Sequence, residues 1–137
     1  MSTTTLARES GLAERTLPPY IDLLETLYLT HRVPVWSNNL AGRVAKSSKL
    51  ALLDSGLASS LLNVSPTSLA ADVNPDPAGA LIETFVLAEL RKQIPVSDTS
   101  PRLFYWRDRR GPEVDVVLES RDGRVVGIEV KASSTVN

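Results

Sequence analysis

The apolar positions of this chain switch between two periods, and the switches mark its elements. Leu17, Ile21, Leu24 and Tyr28 are separated by steps of 4, 3 and 4, which lays one apolar stripe along a helix. A short helix over 6–9 precedes it, closed by Ser10-Gly11. Leu27, Leu29, Val33 and Val35 then fall on alternate places, which predicts a short strand within 28–36. Pro34 has no N–H to give a ladder, so this strand belongs at an edge. A second strand is expected over 49–53, then Asp54-Ser55-Gly56 as turn and cap, then a helix over 57–62. Further on, Asp76-Pro77 opens a helix running to about Gln93, with proline suited to the first turn and Pro95 as the stop. Three strands follow over 103–107, 113–119 and 124–132, separated by Arg109-Arg110-Gly111-Pro112 and Arg121-Asp122-Gly123. The second half is therefore a helix followed by a three-strand antiparallel meander.

Turn residues concentrate at Ser65-Pro66-Thr67 and in the run DVNPDP over 72–77. They divide the chain into a segment over 1–64, a linker over 65–77 and a core over 78–137.

Alternation fixes the register of the last hairpin. If Arg121-Asp122-Gly123 is a three-residue loop, Gly123 takes the left-handed position and Ser120 faces Arg124. Val116 then faces Ile128, Val114 faces Val130 and Leu118 faces Val126, giving one continuous apolar face. The other face brings Asp115 opposite Glu129 and Glu113 opposite Lys131. Two facing carboxylates repel unless a proton or cation lies between them. Hard oxygen donors without His or Cys favour Mg²⁺ or Mn²⁺ over zinc. Lys131 points to the same face, where its ammonium can orient an attacking water or neutralise phosphate charge. Glu83 lies among Val86, Leu87, Leu90 and Ile94 on the helix, a costly place for a carboxylate without a partner or a metal. The plainer reading of the hairpin is a solvated polar face on a one-sided sheet. That reading leaves Glu83 unexplained.

Composition narrows the chemistry. The 137 residues contain no Cys and one His, which excludes thiol catalysis, zinc-thiolate sites and disulfide staples. His31 has no Ser or carboxylate neighbour to suggest a triad. With 15 Lys+Arg against 16 Asp+Glu the chain is not coated in positive charge, although a local basic patch is compatible with that balance. No apolar run approaches a membrane span, so a cytoplasmic protein without membrane association is expected.

Asp115, the Glu129-Val130-Lys131 triplet and helical Glu83 resemble the PD-(D/E)XK, or restriction-endonuclease-like, nuclease superfamily. The strings Asp54-Ser55-Gly56-Leu57, Glu83-Thr84-Phe85-Val86, Tyr105-Trp106-Arg107, Glu113-Val114-Asp115 and Ile128 to Ser133 (IEVKAS) resemble a narrower family. It is the domain of unknown function found C-terminal to AAA-type ATPase domains in bacteria and archaea. The resemblance implies an α/β fold: a partial restriction-endonuclease-like core preceded by a small winged-helix-like segment. It implies a nuclease hydrolysing DNA, with Asp115, Glu129 and Lys131 catalytic and Glu83, Asp115 and Glu129 holding Mg²⁺ or Mn²⁺. The chain has no GxxxxGK[ST] loop, so no ATPase activity is expected from it. It ends six residues after Lys131, where the superfamily core continues, so a truncated core is expected.

Ala7, Gly11 and Leu17 match the spacing of a helix-turn-helix, and Gly11 to Leu17 (GLAERTL) resembles a string of the winged helix in that narrower family. The resemblance places Arg15 near the groove and Arg32 on the wing. Pro18-Pro19 lies where the recognition helix should be regular, with Thr16 as the cap of a restarted helix. The plainer alternative is that this half only packs against the core. Arg107, Arg109 and Arg110 are the better phosphate contacts, since they flank Asp115 in sequence; Arg43, Lys46 and Lys49 are a second set. The competing function is a non-catalytic DNA-binding or regulatory domain. Its partner would be an ATPase domain absent from this chain, or another copy of itself.

Overall fold

The apolar stripe of the first half forms a helix shorter than its spacing extends. A computed structural model describes residues 3–39, 43, 48–65, 75–108 and 111–132. Helix α1 (Thr3–Ser10) leads through a 3₁₀ turn to α2 (Leu17–Thr26), which buries Leu17 and Ile21. Pro18 and Pro19 fall in the first turn of α2, where no N–H is needed, so they start the helix rather than break it. Thr16 does not supply the expected cap: its side chain makes no capping bond and its own backbone is helical. Tyr28 leaves the stripe altogether. It takes φ +56° in the turn after α2 and is 80% exposed.

Strands β1 (Thr30–Val33) and β2 (Lys49–Leu52) pair antiparallel, with Thr30 opposite Leu52. Pro34 follows β1 and contributes only its carbonyl, which accepts from the Tyr105 N–H at 3.0 Å. The Trp36 N–H donates to the Tyr105 carbonyl at 2.6 Å, completing a parallel bridge between Val35 and Tyr105. That bridge ties the first half to the second. Helix α3 (Ser55–Leu61) is capped by Asp54, whose Oδ1 accepts from the Leu57 N–H at 2.7 Å.

Helix α4 (Pro75–Gln93) is followed by a 3₁₀ turn at Pro95 and a sheet of order β3-β4-β5, comprising Arg102–Arg107, Glu113–Glu119 and Val125–Ile128. The last hairpin has the register its pattern requires. Val116 faces Ile128 and Leu118 faces Val126, Gly123 adopts φ +84°, and the Ser120 N–H donates to the Arg124 carbonyl at 2.9 Å. Two expectations are corrected. β5 ends at Ile128 rather than at 132, because the Asp115 carboxylate, not a backbone carbonyl, takes the next N–H, that of Val130. The apolar face is also not covered throughout: Val116 is fully buried, while Val126 on the edge strand is 58% exposed.

The core joins Val33 of β1, Leu87 of α4 and Val116 of β4, with Ala51, Leu90, Leu103 and Tyr105 packed around them. Both halves contribute to it. Behind the sheet, Arg43 reaches across 76 residues to Glu119 in a two-pronged ion pair (2.6 and 2.8 Å) and lies over the rings of Trp36 and Phe104. Among the described residues no helix is long and apolar enough to cross a membrane.

Candidate functional site

The chemistry-bearing residues of the second half meet where β4 begins, beside the first turns of α4. Asp115 Oδ2 accepts the Val130 N–H at 2.8 Å, which holds this carboxylate against the Glu129-Val130-Lys131 segment. The Lys131 ammonium pairs with Glu129 Oε1. That hydrogen bond and the Glu129 charge, with Asp115 adding to them, raise the Lys131 pKa. Lys131 therefore remains an ammonium, able to donate hydrogen bonds and offset negative charge but not to accept a proton. Asp115, Glu129 and Lys131 form one group at the open end of the hairpin.

Glu83 enters from the helix. A β-carbon built on Gly79 would lie 4.0 Å from that of Ala132, so this face of α4 meets the segment carrying Lys131. Glu83 sits one turn further along the same face. Its carboxylate is paired with Lys49 Nζ from β2, which also reaches Glu113 Oε1 at 3.3 Å. Burial works against the Lys49 charge, but the bonds and charges of Glu83 and Glu113 outweigh it and raise the pKa. Arg107 Nε lies 3.6 Å from the other Glu113 oxygen. The out-of-place carboxylate on the helix is thus satisfied by a lysine 34 residues earlier.

Glu83 and the Asp115–Glu129 pair lie on neighbouring segments, yet the described residues hold no group of three or more His, Asp or Glu side chains placed to share a metal ion. The donor set suits a divalent cation in part. Mg²⁺ commonly uses one or two carboxylates and completes its shell with water and phosphate oxygens. Asp115 and Glu129 lie on adjoining segments, Glu129 pairs with Lys131, and Glu83 is committed to Lys49.

Of the basic residues, Arg107 is largely exposed at the mouth of this site, and Arg109 and Arg110 lie outside the described residues. Lys46 lies outside them as well. Arg15 is exposed in the turn before α2, far along the chain from the site. Arg32 is exposed and already paired: its guanidinium bonds Asp22 at 2.7 Å and also pairs with Glu25, both on α2. Arg43 is held by Glu119.

Sequence reasoning missed Lys49 as the partner of Glu83. The signal was present only as a demand, a carboxylate on an apolar stripe needing a cation, and not as an address. Lys49→Met should lower stability by about 2 kcal/mol at neutral pH, since two half-buried carboxylates would face each other without their shared cation. Adding Glu83→Gln should recover part of that loss in urea denaturation. Equal stability of the single variant and the parent would refute the bridging role.

Residues 78–137 match the family model of a domain of unknown function, DUF4143. Residues 1–68 match that of another domain of unknown function, DUF8612. The chain is 33% identical over 130 residues to Uncharacterized protein Rv2008c of Mycobacterium tuberculosis and to Uncharacterized protein Mb2031c of Mycobacterium bovis. The alignment covers 95% of this chain and 28% of each relative, so the chain spans about a quarter of their length. No solved structure matches it.

Proposed function

We propose that this chain is a nuclease-like domain of a longer, ATPase-linked cytoplasmic protein, hydrolysing DNA phosphodiesters with Mg²⁺ or Mn²⁺. The observation behind this reading is the hydrogen bond from Val130 to Asp115, which gathers two carboxylates and one lysine at an open edge. Asp115 and Glu129 would hold the cation, which supplies charge neutralisation on the phosphate and a more acidic bound water. Lys131 orients the attacking water and offsets the charge that builds on the phosphoryl oxygens. The water oxygen bonds to phosphorus as the bond to the leaving oxygen breaks, the water losing a proton to solvent and the leaving oxygen taking one up from solvent. Arg107, beside Glu113, would contact the adjacent phosphate.

A second reading is a non-catalytic DNA-binding or regulatory domain, docking an ATPase domain or a second copy of itself. It draws support from Glu83, which pairs with Lys49 instead of joining Asp115 and Glu129. Cleavage of plasmid and oligonucleotide DNA in Mg²⁺ or Mn²⁺ separates the two. Under the first reading, Lys131→Ala and Asp115→Asn lower the rate by at least about 100-fold. Absence of cleavage together with absence of Mn²⁺ binding by calorimetry would leave only the second.

A further inference from the structure

A cleft of about 540 Å³ opens at the far end of α4, with none of Glu83, Asp115, Glu129 and Lys131 in its lining. Arg91 lies eight residues beyond Glu83, roughly 12 Å along the helix axis. The walls are apolar, formed by Pro34, Ile94, Leu103 and Phe104. A volume in this range is that of a small-molecule site.

Its polar groups are unusual. His31 lines the cleft, is only 5% exposed, and neither ring nitrogen has a hydrogen-bond partner. An unsatisfied buried imidazole is costly, and native proteins rarely tolerate one without a ligand, water or ion to complete it. Three guanidinium groups surround the opening. Arg32 is bonded to Asp22 and Glu25, and Arg102 shares Glu119 with Arg43. Arg91 is exposed and has no ion pair among the described residues. The cleft thus offers one uncompensated positive charge, a buried imidazole and an apolar wall.

We propose that this cleft binds a small organic acid, a single carboxylate on a compact aromatic or branched aliphatic body. One unpaired guanidinium matches one negative charge, and its planar fork fits a carboxylate in two-pronged fashion. The His31 ring supplies a further donor, and the proline, isoleucine, leucine and phenylalanine walls take the apolar body. This site is independent of the nuclease reading.

The probes are benzoate and 3-phenylpropionate, with benzamide and inorganic phosphate as controls, titrated into the ¹⁵N-labelled chain and followed by NMR. Saturable binding of the acids that shifts the His31 ring signals and the Arg91 amide is expected, with benzamide at least about tenfold weaker. Arg91→Met, a rim change that leaves the core intact, should weaken the acids by a similar factor and leave the rest of the spectrum unchanged. Failure of both acids to bind at millimolar concentration would overturn the proposal. So would equal binding of benzamide or of phosphate, or an unaltered affinity in Arg91→Met.

Discussion

Glu119→Ala should destabilise the protein by about 3–5 kcal/mol, a loss typical of removing one partner from a buried charge pair. Glu119 is 8% exposed although it lies on a strand end, and it accepts both prongs of Arg43 and a bond from Arg102 at 2.8 Å. The Arg43 guanidinium over Trp36 and Phe104, only 11% exposed, would be left without its anion. The variant should show its loss as a lower denaturation midpoint with an unchanged urea m-value. Combining it with Arg43→Met should restore part of the stability, since an apolar pair of similar volume no longer strands a charge. A loss under about 1 kcal/mol would mean that the cluster behaves as a solvated surface pair. The Arg43 bond, against the opposing effect of burial, holds the Glu119 pKa below its ordinary 4.5. Its contribution is present above pH 4.5 and disappears as the pH falls through the lower native value.

Acid should weaken the protein before Glu119 protonates, and His31 is the reason. Burial first, and then the Arg91 charge, push its pKa from the ordinary 6.5 to about 4, with Glu25 acting in the opposite direction. The unfolded chain therefore binds a proton between pH 6.5 and about 4 that the native protein does not. Stability must fall as the pH is lowered through that window. At ~1.4 kcal/mol per pH unit the loss is at most about 3.5 kcal/mol. Urea denaturation at pH 7 and pH 4.5 measures it, and His31→Leu should flatten the difference. A parent protein equally stable at both values would show that the imidazole is not held neutral. A carboxylate bound in the cleft would raise the His31 pKa and narrow the window.

Most elements were legible as periods. The long helix, the meander and the hairpin register all follow from apolar spacing, because burial on one face leaves a single pairing that keeps Val116, Ile128 and Leu118 together. Gly123 was legible for the same local reason: a three-residue loop needs a left-handed residue. The end of β5 was not. Its alternation continues through Val130, but the Asp115 side chain competes for the Val130 N–H, and periodicity carries no information about such a capture.

The candidate site divides along the same line. Strand alternation predicted Asp115 and Glu129 as cross-strand partners, but β5 ends at Ile128, and what the fold shows is the Val130 N–H bonded to Asp115. Glu83 could be recognised as a charge needing a partner, because its neighbours on the helix are apolar. Its partner could not be found that way. Lys49 is joined to Glu83 only when β2 lies beside α4, and Arg43 is joined to Glu119 only when the two halves share a core. The sequence by itself determined most of the elements and the hairpin register from Val116 to Glu119, all governed by local spacing. Only the tertiary structure decided which charges are neutralised, which N–H the Asp115 carboxylate takes, and where His31 and Arg91 enclose a cleft. Those depend on distances between segments far apart in the chain, and desolvation acts on them only after the segments have packed.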